Sequence, residues 1–190
     1  GAAAAALLGL GVAVWYSRLG LTLSHYDARG HLVVSRRILD SITPGWQQVG
    51  AVWLPLPHLL NALPAQVDWF YRTGASGVGI SVLSFAAATA AILWLVARVT
   101  DSWLAAGAGA LVFALNPNVL YLQSTPMTEP LLMALTLGSI ALLIAFCDAQ
   151  VDRTPAGRAG SPSTALVGWA FVLACMTRYE AWPVTIGALV

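Results

Sequence analysis

The chain has 190 residues, of which 58% are hydrophobic and only 9% charged, with a formal net charge of +1. An ordinary soluble domain carries about a quarter charged residues, so the composition excludes that class and points to a membrane protein. The small net charge also argues against nucleic acid as a partner. All nine basic residues are Arg, and there is no Lys. Cys147 and Cys175 both lie in apolar runs and read as small buried hydrophobes rather than a disulfide or a metal pair. The chain opens without Met and stops inside the apolar run VTIGALV, as expected of a piece of a longer protein. Its first run has neither the basic flank nor the cleavage site of a signal peptide.

A membrane-crossing helix needs roughly 20 apolar residues. The first apolar run, about residues 1–16, is shorter and reads as a truncated span. A long amphipathic loop over about 17–73 follows. Within it Ala28, Leu32, Ser35, Leu39 and Ile42 recur at helical spacing. Arg29, Arg36 and Asp40 share another stripe, with Arg36 and Asp40 placed to pair at i,i+4. The pattern predicts a helix over 28–42 lying along the membrane interface, apolar side down. Thr43–Trp46 (TPGW) is a turn. VWLPLPHLLNALP predicts a second short interfacial helix that starts near Pro57 and stops before Pro64. Trp46, Trp53, Trp69 and Tyr71 read as interface anchors. Further spans are expected at about 74–97, 103–122, 127–146, 164–177 and 182–190 onward. The 103–122 span should break at Asn116-Pro117. The segment DAQVDRTPAGRAGSPS is a solvated linker by composition. The expected fold is all-α: one domain over 1–190, a polytopic transmembrane helix bundle with interfacial helices in its first extracytoplasmic loop.

Counting crossings sorts the loops onto two faces. The long loop, the Gln123–Thr128 turn and Arg178–Glu180 share one face. The Val99–Ser102 turn and the linker with Arg153 and Arg158 share the other, which is taken as cytoplasmic, although the long loop on the first face also carries Arg18, Arg29, Arg36, Arg37 and Arg72 and charge alone gives a mixed answer. Each charged residue has a structural and a functional reading. Ser24-x-x-Asp27 is a capping-box variant, so Asp27 either starts a helix or stands at the boundary as a general base. Glu129 follows Thr125-Pro126, a good N-cap and first turn. A carboxylate entering a span otherwise needs a partner or water. Arg178 and Glu180 either snorkel to the interface or bind a ligand. His25, His31 and His58 fit no zinc spacing. Asp27, Glu129, Arg178 and Glu180 thus come from separate loops to one face, where a lipid headgroup sits. Tyr26 and His58, from the same long loop, are added as substrate-binding candidates. No cofactor is indicated, and a divalent metal is optional.

Four stretches occur in an order that resembles the GT-C superfamily of polytopic glycosyltransferases. The nearest resemblance is to its protein O-mannosyltransferase and aminoarabinose transferase branch. They are HYDARGHL, VWLPLPHLLN, NPNVLYLQSTPMTE and TRYEAW, and in that order they span most of the chain. The resemblance implies an integral protein of the cell (inner) membrane. It implies transfer of a sugar from a polyprenyl-phosphate carrier to a glycan, lipid or protein acceptor on the extracytoplasmic face. Asp27 would be the catalytic base, Glu129 would support the site or the acceptor, and Arg178 would meet the carrier phosphate. A transporter or channel segment, and a non-catalytic membrane scaffold, are the alternatives. A transport pathway predicts charges near mid-membrane on broken helices, whereas here they gather at one face.

Overall fold

The computed structural model describes residues 1–50, 52–151 and 161–190. Among these the chain is helical, without strands. The helices are α1 (Ala2–Arg18), α2 (Tyr26–Arg37), α3 (Leu56–Ala62), α4 (Asp68–Thr73), α5 (Ala75–Thr100), α6 (Trp103–Ala114), α7 (Pro117–Gln123), α8 (Glu129–Val151), α9 (Thr164–Cys175) and α10 (Ala181–Leu189). Two are long and apolar enough to cross a membrane, α5 with 26 residues and α8 with 23. At 1.5 Å per residue they measure about 39 and 35 Å, against a hydrocarbon core of about 30 Å. The bent pair α6 and α7 makes a third if counted as one span.

The expected span over 103–122 is two helices that meet at 63°. Asn116 causes the break: its Oδ1 accepts from Asn118 N–H at 2.9 Å and Val119 N–H at 3.3 Å, and Pro117 takes the first position of α7. That is an N-cap followed by a proline, which starts one helix by ending another. The spans expected at 1–16, 164–177 and 182–190 each correspond to a helix, but α1, α9 and α10 have only 17, 12 and 9 residues. None of these three reaches the length of a crossing. α8 runs past the expected end at Phe146 to Val151, since no Gly or Pro interrupts Cys147–Val151. Arg153, Arg158 and most of the expected linker lie outside the described residues.

α5 is the hub, packing against α8, α6 and α1. Small residues line its contacts, and Phe85, 1% exposed, fills the centre with Ala5, Ala86 and Ala114. Such faces let helix backbones approach closely in an apolar medium. Gly74 joins α4 to α5 in the left-handed region, at φ 73°, where a residue with a Cβ would be strained. At the far end of α5, Arg98 holds Asp148 of α8 through two hydrogen bonds of 2.7 and 2.8 Å.

The helix expected over 28–42 is α2, and it ends at Arg37. Ala28, Leu32 and Ser35 are buried as their spacing predicts, but Leu39 and Ile42 are exposed. Beyond Ile38 the chain turns back, with Gly45 N–H donating to the Ile38 carbonyl at 2.8 Å. The buried side of α2 rests on α3 and Trp53, so protein covers the face expected to lie on lipid. Arg36 pairs with Asp40 as expected, at 2.9 Å, and also with Asp68 at 2.6 Å, while its guanidinium lies over the Tyr71 ring. Trp46 and Trp69 are exposed, but Trp53 is half-buried against His31 and His58 rather than free as an anchor. Cys147, expected to be buried, is exposed on α8; Cys175 lies beside Thr185, Sγ to Oγ1 3.2 Å.

Candidate functional site

A cleft of about 330 Å³ opens where the first turn of α2, the segment before α3, the entry to α8 and the turn after α9 converge. Asp27, His31, Trp53, His58, Arg178 and Glu180 are among the residues that line it. The loop is fastened to the α9 end by one backbone bond, Leu56 N–H to the Met176 carbonyl at 3.0 Å.

Arg178 is the centre of the polar side. Its Nη1 donates to Glu129 Oε1 and to Thr128 Oγ1, both at 3.0 Å. Its Nε and Nη2 both donate to Glu180 Oε1, at 3.1 and 2.7 Å. Burial works against the charge, but the Glu180 hydrogen bond and the charges of Glu129, Glu180 and Asp27 outweigh it and raise the Arg178 pKa above its usual value. The same hydrogen bond holds the Glu180 carboxyl below the usual carboxylate range. Glu129 stands behind Arg178 at the start of α8. Its second oxygen, Oε2, is buried and has no partner among the described residues.

Asp27 faces this group from α2. The expected Ser24 cap is not formed. His25 caps α2, its Nδ1 accepting from Asp27 N–H at 3.1 Å. The Ser24 hydroxyl instead donates to the Leu21 carbonyl at 2.7 Å and meets Tyr121 Oη at 3.1 Å. With the cap supplied by its neighbour, the Asp27 carboxylate is left in the first turn and lines the cleft. Thr125 is likewise no cap for α8. Its hydroxyl donates to the Leu122 carbonyl at 2.8 Å, and α8 begins four residues later.

Two histidines were not read from the sequence as a unit. His31 Nδ1 and His58 Nε2 are 3.0 Å apart in a buried contact, and His58 Nδ1 lies 3.0 Å from the Leu54 carbonyl. A carbonyl can only accept, so His58 carries its proton on Nδ1. Its Nε2 then accepts, and the His31 proton sits on Nδ1. Trp53 lies against both rings, at 4.6 and 5.7 Å between centroids. A Cβ at Gly30 would stand 2.8 Å from the tip of that indole, so the glycine makes room for it. Burial, then the charges of His58, Arg178 and His25, hold His31 at about 3. Burial also lowers His58, against the opposing pull of its bond to Leu54. The pair is therefore neutral at physiological pH. The available signal was spacing: His31 lies one turn beyond Asp27, on the same side as buried Ala28 and Leu32.

Of the sequence-predicted residues, Asp27, His58, Arg178 and Glu180 come together in the cleft, and Glu129 joins through Arg178. Tyr26 does not; its side chain is 83% exposed and turned away. Among the described residues no three His, Cys, Asp or Glu groups gather as a metal site. An apolar groove of about 830 Å³, walled by Phe146, Phe171, Met176, Trp182 and Ile186, meets the polar cleft at Leu54. The sequence matches no protein-family model, and neither curated proteins nor solved structures give a match to it.

Proposed function

We propose that this chain belongs to the transmembrane domain of a glycosyltransferase that moves a sugar from a polyprenyl-phosphate carrier to an acceptor hydroxyl on the extracytoplasmic face of the cell (inner) membrane. One observation carries the reading: an Arg178 guanidinium held by Glu129 and Glu180 faces a carboxylate, Asp27, across a cleft that runs into an apolar groove. A planar, permanently charged fork suits a phosphate, and spreading the charge on a phosphate makes it a better leaving group. The apolar groove suits the isoprenoid tail. Asp27 takes the proton as the acceptor oxygen attacks the anomeric carbon, the role a carboxylate plays toward water in inverting glycosidases. Glu129 and Glu180 hold Arg178 when no phosphate is bound. The membrane crossings would then be α5, α8, the bent α6–α7 pair and the shorter α1, α9 and α10 completed by their surroundings. Charges at helix ends rather than mid-helix favour this reading over an ion pathway.

The test is Asp27→Asn in the full-length protein, with a polyprenyl-phosphate mannose as donor. General-base help is worth about 10²–10⁴-fold, so transfer should fall by that order. Folding and donor binding should persist, because His25 rather than the Asp27 side chain supplies the cap. Undiminished transfer in the Asn variant would refute the assignment of the base.

A further inference from the structure

The two walls of the cleft differ in what they can bond. Arg178 is donor-only, while Asp27 is acceptor-only when ionised. His31 belongs to the second wall, because His58 fixes its proton on Nδ1 and leaves Nε2 as a bare lone pair. That nitrogen makes no hydrogen bond among the described residues, and His31 lines the cleft. A phosphate oxygen has no proton to give it. A hydroxyl has, and the Trp53 indole on the same wall offers the flat apolar surface that the C–H face of a sugar ring can cover.

We propose that His31 Nε2 accepts a hydrogen bond from a sugar hydroxyl bound against Trp53, with His58 as the positioning residue that sets the His31 tautomer. The inference rests on the glycosyltransferase reading for the identity of the ligand as a sugar. It adds an orientation: phosphate toward Arg178, sugar hydroxyls toward Asp27 and His31. It also accounts for two histidines buried in hydrogen-bond contact.

Two measurements on the full-length protein in nanodiscs test it. The first follows the ring nitrogens of 15N-labelled histidine while methyl glycosides of mannose, glucose, galactose and arabinose are added. His31 should show a protonated Nδ1 and a bare Nε2, and at least one glycoside should shift the Nε2 resonance. A proton on Nε2, or no shift with any glycoside up to its solubility limit, overturns the proposal. The second compares transfer by His31→Leu, His31→Gln and His58→Phe, using polyprenyl-phosphate-linked forms of the same sugars. Losing one acceptor in a polar site should lower kcat/KM by about 5- to 100-fold in His31→Leu. His31→Gln keeps an acceptor and should retain most activity. His58→Phe should raise KM and leave kcat nearly unchanged. A rise in the donor's KM alone places the hydroxyl on the carried sugar, and a rise in the acceptor's KM alone places it on the acceptor. Equal kinetics in native and Leu forms overturn the proposal even though transfer itself stands. No transfer by the native protein from any of these lipids ends the glycosyltransferase reading, while the nitrogen titration still decides the His31 site.

Discussion

Arg178 is held by three partners at once: Glu129 and Thr128 share Nη1, and Glu180 takes Nε and Nη2. Arg178→Lys keeps the charge and loses that geometry, so donor-lipid affinity should fall with no change in net charge. Arg178→Ala should cost more, about 1.5–3 kcal/mol for a charge-assisted bond, and should also destabilise the fold by leaving Glu129 unpaired. Binding of polyprenyl-phosphate mannose to the three forms in nanodiscs measures the first effect, and thermal unfolding the second. Equal affinity for all three would show that Arg178 only balances its carboxylates. The histidine pair gives a pH prediction. Both imidazoles are lowered in the folded state, His31 to about 3, so the unfolded loop takes up protons below about 6.5 that the folded loop refuses. Stability must therefore fall as pH drops from about 6.5 toward 3, by up to about 1.4 kcal/mol per pH unit from His31, with His58 acting in the same direction below about 6.5. Glu180 acts lower, because its stabilising charge is lost only as pH falls through a value below the usual carboxylate range. The unfolding midpoint should drop between pH 7 and pH 5, and the drop should shrink in a His31→Gln, His58→Gln double variant.

At the scale of elements, the site depends on a close approach between α5 and the segment entering α8. A Cβ at Gly77 would collide with Pro126 Cβ and stand 3.1 Å from its Cα. Four residues on, the buried Ser81 hydroxyl donates to the Thr125 carbonyl at 2.9 Å and the Met127 carbonyl at 3.2 Å. Gly77→Ala should therefore displace this segment and with it Thr128 and Glu129. Overpacking of this kind costs about 1–3 kcal/mol. A lowered unfolding midpoint together with weaker donor binding is the expected outcome. Gly79→Ala, two residues along on an open face, should leave both unchanged. This contact also marks what the sequence conceals. Apolar runs located α1, α5, α8 and α9, and Asn116-Pro117 located the bend, because those signals are local. Helix ends were less legible. Ser24 and Thr125 looked like caps by pattern, yet Ser24 is engaged by Tyr121, 97 residues away. The His31–His58 pair was hidden for the same reason: spacing puts His31 on the buried side of α2, but the bond joins two helices and no local pattern names its partner.

Across the whole molecule, α5 and α8 run parallel, with Gly74 and Glu129 at one end and Arg98 and Asp148 at the other. If the pair crosses the bilayer, the cleft and the Arg98–Asp148 clamp face opposite compartments. With Cys147→Ser and Cys175→Ser as background, an impermeant maleimide added outside intact cells should label Tyr26→Cys and spare Ser102→Cys. Labelling of both, or of Ser102→Cys alone, would reverse or refute that topology. The bond from Leu56 N–H to the Met176 carbonyl fastens the loop to a part of the chain made much later. At about 5–20 residues per second of synthesis, the roughly 120 residues from Leu56 to Met176 take about 6–24 s to emerge. For that interval the loop has neither Arg178 nor the seam that seats it. The histidine pair and its Trp53 cover join residues that emerge early, so they can form first and hold one wall of the cleft ready. Assembly of the site is thus staged, and ribosome-bound chains stopped before Met176 should show the Trp53 cluster packed and Asp27 still open to water.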